Sequence, residues 1–69
     1  MNYKTFIDED CIELRNNDYG TLVFAYREDD DSWTVSTRLS GAYEEKNVPT
    51  KEEAHIVALE FIATYREEI

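Results

Sequence analysis

The sequence predicts an α+β fold: an antiparallel sheet of three to four strands followed by one C-terminal helix packed across one face. Three observations lead there. An apolar stripe of helical period runs near the C-terminus. Two β-rich segments with alternating patterns flank an acidic turn. The whole chain is 69 residues with two Gly, one Pro and no low-complexity linker, which makes residues 1–69 one domain.

The helix is predicted from Thr50 to Glu67. Ala54, Val57, Ala58, Phe61, Ile62 and Tyr65 fall at i, i+3, i+4, i+7, i+8 and i+11, one stripe on a 3.6-residue period. Thr50 is placed to cap the free backbone N–H groups, Glu53 completes a capping box, and Pro49 discourages an earlier start. Ile56 and Ala63 lie off the stripe's centre, which predicts a wide buried face.

The hairpin is predicted from Thr21–Arg27 and Ser32–Leu39, with Glu28-Asp29-Asp30-Asp31 as its turn. Leu22, Phe24 and Tyr26 alternate along the first strand; Trp33, Val35, Thr37 and Leu39 alternate along the second. Leu22, Phe24, Tyr26, Trp33, Val35 and Leu39 are assigned to the face under the helix. Val23, Ala25, Thr34, Ser36 and Arg38 are assigned to the face left open to solvent, to a partner or to a second copy of the chain in a homodimer. Cys11–Arg15 reads as a further strand ending in the turn Asn16–Gly20, where Asn, Asp and Gly tolerate left-handed backbone. Tyr3–Ile7 and Ala42–Val48 read as short flanking strands, the latter after a Ser40-Gly41 turn.

Sixteen Asp and Glu against seven Lys and Arg give a formal net charge of −9. That charge opposes direct contact with nucleic acid and with anionic lipid, and favours a basic protein surface as partner. The chain is nevertheless 42% hydrophobic, with one Trp, five Tyr and three Phe, too apolar for a disordered acidic tail. No run approaches the ~18 apolar residues of a membrane span. The N-terminus lacks the apolar stretch of a signal peptide and Cys11 is the only cysteine, so the expected location is cytoplasmic.

Catalytic and metal chemistry find little footing. His55, the only histidine, is expected as a surface side chain, and Cys11 as a small core hydrophobe; no local signature joins them into a Cys–His pair. Asp8-x-Asp10 opens like a calcium loop, but Ile12 stands where a third oxygen ligand belongs. Gly20 and Gly41 stand alone, so no phosphate-cradling loop exists. The expectation is a non-enzyme with no cofactor and no metal. Tyr3, Phe6, Tyr19 and Tyr43, outside the core pattern, are expected to fill the margins of the small core, with interface anchoring as the alternative.

The positive signal is the clustering of carboxylates: Asp8-Glu9-Asp10, Glu28 to Asp31, Glu44-Glu45, Glu52-Glu53 and Glu67-Glu68. Glu53, Glu60 and Glu67 recur every seven residues along one helical edge, a charge every ~10 Å. Carboxylates fixed on a compact scaffold imitate the footprint of a nucleic-acid strand and match a Lys/Arg groove. The expected partner-binding residues are Glu28, Asp29, Asp30, Asp31, Glu53 and Glu60.

Two resemblances follow. In size, acidity, strands-then-helix order and lack of catalytic residues, the whole chain resembles the small anti-CRISPR and other anti-defence proteins of phages. That resemblance implies stoichiometric inhibition of a nucleic-acid-processing complex in the host cytoplasm. Over Leu22–Tyr65, the Trp33-Thr34-Val35 strand, Gly41, and Thr50 with Glu53-Ala54 opening the helix resemble the N-terminal domain of HicB-like antitoxins. Ser40 and Ala42 stand where that family has Pro and Cys, and its DNA-binding domain has no counterpart here. This second resemblance implies an antitoxin or regulatory module acting by protein–protein binding or dimerisation.

Overall fold

A computed structural model describes residues 3–39 and 43–65. The chain runs β1 (Lys4–Ile7), β2 (Cys11–Asn16), β3 (Gly20–Arg27), β4 (Trp33–Thr37), β5 (Glu44–Val48) and α1 (Lys51–Tyr65). The five strands form one antiparallel sheet in sequence order, a simple meander, and α1 packs across β3, β4 and β5. The fold class is the predicted one. The strand count is higher because both flanking segments pair: β1 joins β2, and β5 joins β4.

The helix starts where its cap predicts. The Glu53 N–H donates to Thr50 Oγ1 at 3.2 Å, and the Ala54 N–H closes the first turn on the Thr50 carbonyl at 3.0 Å. Ala54, Val57, Ala58 and Ile62 are buried, with Phe61 and Tyr65 half-buried beside them. The expected wide face is not found: Ile56 is 57% exposed and Ala63 also faces solvent. The predicted Glu67 end lies outside the described residues.

The face assignment of β3 is corrected. Val23 and Ala25 are buried under the helix, whereas Phe24 is exposed and Tyr26 half-buried on the opposite side. The reason is parity. The β3–β4 connection spans five residues, 28–32, because Ser32 belongs to the turn: the Glu28 N–H reaches the Ser32 carbonyl at 2.7 Å. Arg27 therefore pairs with Trp33, Ala25 with Val35 and Val23 with Thr37. A four-residue turn would have set Phe24 opposite Val35 instead. Since facing residues share a side, one extra turn residue sends the whole strand to the other face. Trp33, Val35 and Thr37 keep their predicted place, and Leu39 packs against the core edge. Thr34 lies on the open side as predicted but is buried there by neighbouring side chains.

Packing accounts for the result. Ala25, Ala54 and Ala58 are all fully buried between sheet and helix and let the two layers approach closely. The remaining volume is filled by Ile12, Leu14, Val23, Trp33, Val35, Val57 and Ile62. At the other end of β3 the register slips: Leu14 faces Val23 but Arg15 faces Thr21, so Leu22 is the extra residue of a β-bulge. The bulge turns Thr21 to the open side, and Leu22 stays buried.

Cys11 is also corrected. It is half-buried on the open side, opposite Tyr26, and not in the core. Tyr3, Phe6, Tyr19 and Tyr43 do not fill core margins; they are 37, 47, 63 and 57% exposed.

The face assignment has a direct test. Ala25→Leu should overpack the helix–sheet layer and lower stability by about 1–3 kcal/mol, whereas Phe24→Ser should cost less than about 1 kcal/mol. Urea unfolding of the two variants, followed by Trp33 fluorescence, gives the ranking.

Candidate functional site

A meander places alternate connections at the same end of the sheet. The β1–β2 turn, the β3–β4 turn and the β5–α1 junction therefore meet at one end. They bring together Asp8, Glu9 and Asp10; Glu28, Asp29, Asp30 and Asp31; and Glu52 and Glu53, more than half of the sixteen acidic residues.

Two cations staple this acidic end from within. Arg27 reaches Asp10 Oδ1 at 2.7 Å and Asp31 Oδ1 at 3.1 Å, tying the first turn to the second. Lys51, the first helical residue, donates to the Asp8 carbonyl at 2.6 Å and lies 5.7 Å from the centre of the Trp33 ring. The β3–β4 turn is also ordered internally. Asp31 takes φ 68°, a left-handed conformation that Asp tolerates. Asp30 Oδ1 accepts from the Ser32 hydroxyl at 2.6 Å and the Ser32 N–H at 3.0 Å, which together hold its carboxyl below the usual range. The Asn47 amide donates to Ser32 Oγ, the Trp33 carbonyl and Thr34 Oγ1, bracing the turn from β5.

The expected binding residues divide. Asp29, Asp30, Asp31 and Glu53 are exposed at the acidic end. Glu28 is half-buried there and accepts from the Thr34 hydroxyl at 2.9 Å. Glu60 is exposed on the same helix edge as Glu53 but ~10 Å further along, away from the cluster. Asp8, Glu9 and Asp10 belong to the site by position. The sequence marks them as a carboxylate cluster, but only the number of strands between them and the second turn places them beside it. Among the described residues Glu9, Asp29, Glu52, Glu53 and Glu60 form no ion pair.

The open sheet face is the second surface. One cross-strand row runs Phe6, Glu13, Phe24, Ser36, Glu45 from β1 to β5. Lys4, Arg15 and Arg38 sit at the end remote from the acidic turns. Arg15 stacks over Phe6 at 5.1 Å and Arg38 over Tyr43 at 6.0 Å. Glu13 accepts from Arg15 at 2.9 and 3.1 Å and from the Thr21 hydroxyl; the Arg15 bonds foremost, then Thr21, hold its carboxyl below the ordinary range. Tyr43 donates to Glu45, a bond that raises the pKa of its phenol. A shallow recess between Thr21, Phe24, Ser36, Arg38 and Tyr43 lies toward that remote end of the face.

Cys11 and His55 are not brought together. Cys11 lies on the open face, whereas His55 lies on the helix side, half-buried beside Ile7, Ile12, Lys51 and Glu52. No group of three or more His, Cys, Asp or Glu among the described residues is arranged to hold a metal ion. Among those residues no helix is long and apolar enough to cross a membrane. No protein-family model, no curated protein and no solved structure matches the chain.

Two outcomes are expected. Since Glu13 has a depressed folded-state pKa, its stabilisation is complete above the unfolded carboxyl value of about 4.3 and is lost as pH falls through the folded value. Glu13→Gln should therefore lower the urea midpoint at pH 7, and the gap from the parent should narrow below about pH 4. Arg27→Ala should cost only about 0–1 kcal/mol globally, as exposed ion pairs do, yet speed amide hydrogen exchange in both turns that Arg27 ties together.

Proposed function

We propose that the chain is a non-enzymatic interaction protein whose acidic end occupies a basic nucleic-acid-binding surface of a larger complex and excludes the nucleic acid. The reading rests on one observation: three acidic segments distant in sequence converge on one end of the sheet, fixed by Arg27 and Lys51. The tie matters, because turns already held together lose little further backbone freedom on binding. Long-range attraction speeds the encounter, and close Lys/Arg pairs add to affinity. Asp29, Asp30, Asp31 and Glu53 make these pairs, with Glu28 at their base and Glu60 as an outlying contact. The size, charge and strands-then-helix order support a phage-encoded inhibitor of a host defence complex in the cytoplasm, resembling anti-CRISPR proteins in kind. A second reading, a HicB-like antitoxin or regulatory module, draws on the exposed aromatic residues of the open sheet face.

The immobilised chain should retain a nucleic-acid-binding complex from bacterial lysate at ~50 mM salt and release it near ~500 mM, as screened charge pairs do. An excess of DNA oligonucleotide should compete. Reversal of Asp29, Asp30 and Asp31 to Lys should weaken retention at least about tenfold, the scale of one or two close charge pairs. Retention indifferent to both salt and reversal would overturn the reading.

A further inference from the structure

We propose that the outward side of α1 docks a basic amphipathic helix of a partner protein. An apolar stripe on that helix covers Ile56 and Leu59, and Lys or Arg along its edge pair with Glu53 and Glu60. This surface uses two apolar residues that the acidic end leaves idle, and it stands whether or not that end excludes nucleic acid.

The helix is apolar on two sides. Ala54, Val57, Ala58 and Ile62 are buried toward the sheet. Ile56, Leu59 and Ala63 face solvent at i, i+3 and i+7, side by side on one stripe. Ile56 is 57% exposed and Leu59 40%. One exposed aliphatic side chain is ordinary. Two at this spacing, followed by a small residue that lets another backbone approach, follow the anchor pattern by which helices dock. A helix with apolar residues on both sides suits a place between two layers, and among the described residues only the sheet packs against it.

Charge selects the occupant. Glu53 and Glu60 lie along one edge of the stripe, about two turns apart, and Glu52 stands at its head. None of the three is in an ion pair among the described residues. Lys51 is engaged at the helix start, on the Asp8 carbonyl and over the Trp33 ring. The other edge of the stripe carries His55, half-buried beside Ile7. An apolar stripe with bare carboxylates down one edge is matched by an apolar stripe edged with Lys or Arg. A second copy is the wrong match. Packed antiparallel, it sets its own Glu53–Glu60 edge beside this one; packed parallel, it brings the two acidic ends together. An anionic membrane is repelled by the same carboxylates.

The test is fluorescence anisotropy of a labelled helical peptide titrated with the full chain. The peptide has about 18 residues, Leu on one face and Lys along the edges, long enough to lie along α1. Binding in the micromolar range is expected at ~50 mM salt, several-fold weaker at ~500 mM. A peptide of the same composition, scrambled to break the stripe, should bind at least about tenfold more weakly. Ile56→Gln with Leu59→Gln, at exposed sites and folded by circular dichroism, should weaken binding at least about tenfold, the scale of two lost aliphatic contacts. Glu53→Gln with Glu60→Gln should weaken it about fivefold and flatten its salt dependence. Phe24→Ser, on the open sheet face, should leave it unchanged. Binding unmoved by Ile56→Gln with Leu59→Gln overturns the proposal. So does a scrambled peptide that binds equally well, since attraction to net charge then suffices. A parent dimer in sedimentation equilibrium that Ile56→Gln with Leu59→Gln abolishes also overturns it, by giving the stripe to a second copy.

Discussion

The length of one turn governs this molecule. Five residues between β3 and β4 pair Ala25 with Val35, and that pairing decides the side of every residue in both strands. The helix can settle closely because the residues beneath it are Ala and Val, facing Ala54 and Ala58. The same register sends Phe24 and Tyr26 to the other side, where their rings lie 6.0 Å apart in a tilted pair. The core and the open face are thus two results of one register.

The acidic end is a result of connectivity. Carboxylates in one place repel one another and destabilise the compact state. Here the repulsion is offset locally: Arg27 joins two turns, Lys51 joins the helix start to the first, and Asn47 holds the second from behind. Asp30 spends its charge on Ser32, while Asp29 and Glu53 project outward. The same contacts that stabilise the turns against self-repulsion hold the backbone from which the outward carboxylates project.

Elements with a strong period were legible in the sequence. The helix showed itself by its stripe and its Thr50 cap, and β4 by its clean alternation from Trp33 to Thr37. The side of β3 was not legible, because both of its faces carry apolar residues and only the membership of Ser32 in the turn separates them. The bulge at Leu22 has no sequence signature either, since it depends on the pairing of Arg15 with Thr21 across two strands. Glu53 and the β3–β4 turn could be named from clustering alone. Their union with Asp8–Asp10 required the strand count, which rested on the two weakest segments, Lys4–Ile7 and Glu44–Val48. Glu60 shared a helical edge with Glu53, but an edge shared along an axis is not proximity to the turns.

The order of elements also has a consequence for biogenesis. The sheet precedes its cover in the chain, and strands join their neighbours as they appear, with no long loop to close. A sheet without its helix therefore leaves Val23, Ala25, Trp33 and Val35 bare. Until the helix docks, the folding chain exposes an apolar sheet surface of the kind that aggregates, and a chain cut short before Lys51 keeps it.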